Sequence, residues 1–119
     1  MRNLCEQVIV AQNDAVSQAS AQIDTGQMFR MSAHAFFSDS TAAGTLVLQA
    51  SDDPTQFGNL PSLVKITDWI TIPNTSQTVT AGSSVLIPST EICYRWVRVL
   101  WTPSAGSGTI SVNINTLGY

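Results

Sequence analysis

Charge is the scarcest ingredient of this chain. Asp, Glu, Lys and Arg make up only 11% of its 119 residues, against about a quarter in an ordinary globular domain. The five basic residues, Arg2, Arg30, Lys65, Arg95 and Arg98, are scattered, and the formal net charge is -3. The basic stripe of a nucleic-acid binder is therefore missing, and no nucleic-acid partner is expected. Low charge beside 44% hydrophobic residues also excludes disorder, which goes with the opposite composition. One histidine and two cysteines are too few for a four-ligand zinc site, so neither metal nor cofactor is expected. Cys5 and Cys93 fall on expected strands beside apolar residues. They read as buried, reduced thiols, with a disulfide between the first and penultimate strands as the alternative.

Long apolar runs are absent too. No segment approaches the length of a membrane helix, and the first ten residues lack a signal peptide's apolar core and cleavage site. The chain is expected to be made in a cytoplasm, with no membrane partner. Helical periodicity is equally scarce: residues 11–20 hold good helix formers but no apolar stripe, and read as a loop.

What remains is strand and turn chemistry. Strands are expected over 5–11, 18–24, 27–38, 45–51, 65–72, 76–81 and 83–87, followed by a closing pair of strands. On 27–38 the apolar face is Phe29, Met31, Ala33, Ala35 and Phe37; on 45–51 it is Leu46, Leu48 and Ala50. Residues 52–64 form the longest irregular connection, broken by two prolines and a glycine. Residues 1–119 thus read as a single all-β domain, an antiparallel β-sandwich of roughly eight strands in a Greek-key or jelly-roll arrangement. Residues 1–17 would be an N-terminal arm and first strand. An immunoglobulin-type sandwich is the near alternative, but its Cys and Trp spacing is missing.

The search for chemistry is nearly empty, and no enzyme is expected. His34 has no nucleophile motif beside it and reads as a half-exposed strand residue, or a subunit contact. Asp39 and Asp52-Asp53-Pro54 suggest calcium only loosely, because no calcium-loop spacing is present and the pattern suits turns and caps. Gly106-Ser107-Gly108 lacks the Lys and helix of a phosphate loop, and reads as a hairpin turn.

The richest stretch is the end. Ile92 to Trp101 is apolar on both sides of its strand: Arg95, Val97, Val99 and Trp101 alternate with Tyr94, Trp96, Arg98 and Leu100. The following strand buries Ile110, Val112 and Ile114 and shows Ser111, Asn113 and Asn115. A sandwich covers a strand on one side only, so the second apolar face calls for a partner surface. Tyr94, Trp96, Arg98 and Leu100 have interface composition and are the expected assembly face. Phe57, Trp69 and Tyr119 are the alternative, an aromatic platform for carbohydrate.

The run Gly44 to Asp53, the strand containing Trp69, and Tyr94 to Val99 closed by Gly106-Ser107-Gly108-Thr109-Ile110 resemble small β-sandwich proteins of bacterial viruses. The resemblance covers about residues 18–116. It implies a virion structural role in capsid decoration or cement, a vertex, or the base of a head fibre or spike. It also implies self-assembly as trimers or pentamers, contact with the major capsid or other virion proteins, and a place on the capsid surface. The alternative function is a carbohydrate- or receptor-binding module of a fibre or spike.

Overall fold

A computed structural model of the chain describes residues 2–26, 28–52 and 68–118, with only the backbone of 2–4. Among the described residues there are ten strands and no helix: β1 Arg2–Asn13, β2 Gln18–Ala19, β3 Ile23–Asp24, β4 Met28–Phe37, β5 Ala43–Ser51, β6 Ile70–Thr71, β7 Gln77–Val79, β8 Val85–Glu91, β9 Trp96–Ala105 and β10 Thr109–Gly118. They form two antiparallel sheets. The first has the order β1-β10-β4-β8; the second has β2-β9-β5-β6, with β3 also on β9 and β7 also on β5. Joining β2 to β3 and β6 to β7 leaves eight strands in the interleaved order of a jelly roll.

The count exceeds the expected eight because the two outer strands of the second sheet are interrupted, and each gap is filled by a hydroxyl. Between β2 and β3, the Ser20 amide donates to the Val99 carbonyl at 2.9 Å, and Ser20 Oγ accepts the Val99 amide at 2.9 Å. Between β6 and β7, buried Thr75 Oγ1 accepts the Leu48 amide at 3.2 Å and donates to the Ile72 carbonyl at 2.7 Å. A side chain thus replaces a missing rung, and no ladder group of the central strands is left unpaired there.

The core lies between the sheets and follows the expected alternation. Met31, Ala33 and Ala35 of β4, Leu46, Leu48 and Ala50 of β5, Val97, Val99 and Trp101 of β9, and Ile110, Val112 and Ile114 of β10 are all buried. Trp101 is the largest of them; it packs its ring 5.0 Å from that of Phe37 and donates its Nε1 hydrogen to the Asp14 carbonyl at 2.8 Å.

Three expectations need correction. The closing pair is not a hairpin: β9 sits in the second sheet between β2/β3 and β5, and β10 in the first between β1 and β4. The Gly106–Gly108 turn is an arch that carries the chain from one sheet to the other. Both strands are central, which explains why β9 has so little polar surface. The cysteines are free and exposed, not buried. Cys5 lies on an edge strand opposite Asn115, on the outward side, and Cys93 lies in the connection before β9 rather than on a strand. Lastly, residues 2–13 form one long strand paired with β10 from Arg2↔Gly118 to Asn13↔Thr109, where an arm or a shorter strand was expected.

Candidate assembly surfaces

The outer face of the second sheet carries three of the four expected interface residues. Trp96, Arg98 and Leu100 alternate with the buried Val97, Val99 and Trp101, and their register partners on β5 are Ser51, Gln49 and Val47. This face largely covers itself. Trp96 is only 4% exposed, and the Arg95 guanidinium lies 4.5 Å from its ring centroid. Arg95 also forms an ion pair with Asp24, and its amide donates to Asp52 Oδ1 at 2.6 Å. Arg98 stacks 4.5 Å over the Trp69 ring and donates from Nε to Gln49 Oε1 at 2.8 Å. Its burial draws its pKa down from the ordinary arginine value.

Tyr94 does not join this face. The chain bends at Tyr94 and Arg95, ahead of β9, so strand alternation stops there and the two residues exchange the sides that a continued strand would give them. Tyr94 packs against the core and lines a cleft of about 430 Å³ with Asp52, Asp68, Ile70 and Pro73. Of the aromatic platform, Trp69 is half-buried with Arg98 on its ring. Phe57 and Tyr119 lie outside the described residues, as do Asp53 and Pro54.

The outer face of the first sheet is different, and sequence reasoning gave it little weight. Register sets Gln7, Asn113, His34 and Leu86 in one transverse row across β1, β10, β4 and β8. A neighbouring row places Val10 and Ala11 opposite Ser111, which in turn faces Phe36. Phe36 is 42% exposed, Val10 and Leu86 are each 55% exposed, and the His34 and Phe36 rings lie 4.1 Å apart. Ser32, Ser111, Asn113 and Asn115 fill the spaces between them. Among the described residues charge enters only at one end, where Arg30 faces Glu91 across the register and donates to Ser89 Oγ at 2.8 Å. The signal available in the sequence was the polar face of β10 beside His34, which looked like ordinary solvent-facing alternation.

The edges of that sheet are guarded. On β1, Glu6 stands opposite Ile114 on the inward side, and the strand is bulged twice, between Gln7 and Ile9 and between Ile9 and Gln12. Ala11 in the second bulge has a positive φ of 45°. On β8, Pro88 removes a donor. Inward charge, bulges and proline all oppose the addition of another strand, so contact with another molecule falls to the faces.

No family description matches the sequence, and no curated protein is similar to it. Among solved structures, the PBSX exported protein XepA superposes with a TM-score of 0.69 over 98% of this chain, at 13% sequence identity. The SPBc2 prophage-derived protein YomS is similar over 97% of this chain and 92% of its own, with a TM-score of 0.47 and 9% identity. The chain spans 37% of the length of XepA, and with that portion it shares its fold.

Proposed function

We propose that this chain is a non-enzymatic structural subunit of a bacteriophage particle, a homo-oligomer that decorates or cements the capsid. The observation that carries this reading is the outer face of the first sheet. It is uncharged over most of its described area, and it exposes Val10, Phe36 and Leu86 in neighbouring rows. Burying such a face against a second copy removes apolar surface from water without desolvating a charge. Its serines and asparagines exchange water for partner groups at little cost. Guarded strand edges leave contact between copies to the faces. The fold shared with the PBSX exported protein agrees with the resemblance of the sequence to phage-encoded sandwiches.

Sedimentation of the purified chain tests the reading. The expected species is a trimer or pentamer, and Phe36→Asp with Leu86→Asp reduces it to a monomer of unchanged β circular dichroism. A wild-type chain that stays monomeric at high concentration and ignores capsid shells would sink the proposal.

The cleft at Tyr94 supports the second reading, carbohydrate binding. The Asp52 and Asp68 carboxylates beside a phenol ring suit sugar hydroxyls and a sugar face. Titration with host polysaccharide, followed by calorimetry on the wild type and Tyr94→Ala, decides it. Heat that saturates in the wild type and vanishes in the variant supports the module, and the absence of heat in both removes it.

A further inference from the structure

Three connections that pass between the sheets meet at one end of the sandwich: 14–17 after β1, 38–42 after β4, and the 106–108 arch after β9. Each supplies part of one polar cluster. Asp14 is fully buried. Its amide donates to the Gly108 carbonyl at 3.1 Å, and its Oδ1 accepts the Gly108 amide at 3.1 Å. Asp39 Oδ2 accepts the Thr41 hydroxyl, the Ser107 amide at 3.0 Å and the Ser107 hydroxyl at 3.2 Å. Both carboxyls are thus held against adjacent residues of the same arch, and Asp14 Oδ2 and Asp39 Oδ1 are buried with no hydrogen-bond partner among the described residues.

Two carboxylate oxygens attract each other only with something positive between them. No Lys, Arg or His lies in 12–18, 38–42, 80–84 or 104–109, the segments packed around the pair, and Asp14 and Asp39 are the only titratable residues there. A hard cation of calcium size asks for six or more oxygens, and only two are unclaimed. The packing is also too close. A methyl group on Gly106 would fall inside contact distance of Asp14 Oδ1, and one on Gly108 would sit 2.9 Å from Asp39 Oδ1. The glycines of the arch are therefore required by the carboxyls beneath them. A proton is the positive particle that fits.

We propose that Asp14 and Asp39 share one proton and form a pH-operated latch, which locks the three inter-sheet connections together and releases them once that proton is lost. Asp39, with its several donors, keeps the charge; Asp14 Oδ2 keeps the proton and donates it to Asp39 Oδ1. The electrostatics agree. Burial first, and then the hydrogen bond to Asp39, push the Asp14 carboxyl above its ordinary value. The bond from Asp14, then that from Thr41, hold Asp39 well below the usual carboxylate range. The signs follow from linkage. The contribution of Asp14 is complete below the ordinary aspartate value of about 3.9 and is lost as pH rises through its raised value. That of Asp39 is present above the ordinary value and is lost only as pH falls through its depressed one. Closure is favoured between those limits, and above the upper one the pair becomes a dianion.

Hydrogen exchange at the Ser107 and Gly108 amides, from about pH 5 to about pH 9, reads the latch directly. Once Asp14 ionises, opening should increase about tenfold per pH unit beyond the intrinsic base-catalysed rise. Asp14→Asn keeps the acceptor for Gly108 and supplies a permanent donor to Asp39, so the additional rise should vanish. Asp39→Asn offers its amide to the Asp14 carboxylate and should flatten the profile equally, which keeps the test open if one variant fails to fold. Equal pH slopes in the wild type and in both variants would overturn the latch. So would protection of the wild-type amides by millimolar calcium that a chelator reverses, since a cation would then be the bridge.

Discussion

The two sheets of this sandwich solve the same problem in opposite ways. The first is built from long continuous strands, guards its edges and leaves its outer face open. The second has broken outer strands, mends them with Ser20 and Thr75, and covers its outer face with its own side chains. Trp96 lies under Arg95, and Trp69 lies under Arg98. A bulky aromatic strand is thus no guide to where a partner binds, because the chain has already used those aromatics on itself. The plainer face, with Val10, Phe36 and Leu86 among amides and hydroxyls, is the one that stays exposed, and it is the face proposed for assembly.

This contrast is open to breakage at graded cost. Trp96→Ala should have the largest effect, a loss of about 3–5 kcal/mol in denaturant unfolding, as for a buried aromatic. An unchanged midpoint would mean that the second sheet's face is as open as the first. Thr75→Val keeps the shape but strands the Leu48 amide and the Ile72 carbonyl; it should cost about 2 kcal/mol by the same measurement. If it were neutral, the interruption between β6 and β7 would need no hydroxyl. Arg98→Glu loses the Gln49 bond and the Trp69 stack on a partly exposed site, and about 1 kcal/mol is expected. Smallest of all, Phe36→Asp and Leu86→Asp should shift monomer stability by no more than about 0.5 kcal/mol, even as they abolish assembly. A large loss of stability in these two would place them in the fold instead of the interface.

Much of this arrangement was legible in the residues. Strict alternation identified the inward faces of β4, β5 and β10, because a one-residue slip would expose every member of each set. The all-β sandwich followed from short strands and turn chemistry. Which strands pair was not legible: Gly106-Ser107-Gly108 suits a hairpin and an arch equally, and only the double burial of β9 hinted at a central strand. The interruptions at Ser20 and Thr75 were hidden because a hydroxyl that replaces a backbone group leaves no mark on hydrophobic patterning. The fate of the cysteines was misread for a related reason. Cys5 lies among apolar residues, yet it is on an edge strand and faces outward.

The acid pair was legible only in halves. Asp39 stood out as turn chemistry and does accept the Ser107 amide, as a turn aspartate should. Nothing local linked it to Asp14, 25 positions earlier, because their meeting depends on arches whose existence the hairpin reading denied.

The places of β9 and β10 also set a timetable for synthesis. β10 separates β1 from β4, and β9 separates β2 and β3 from β5, so the middle of each sheet is the last part of it to leave the ribosome. Until then β1, β4 and β5 have no central neighbour to pair with, and neither layer closes. Folding must wait for the carboxyl-terminal strands and then proceed through contacts distant in sequence, which makes it slow for a domain of this size. A chain stopped before Trp96 would lose the centre of both sheets at once.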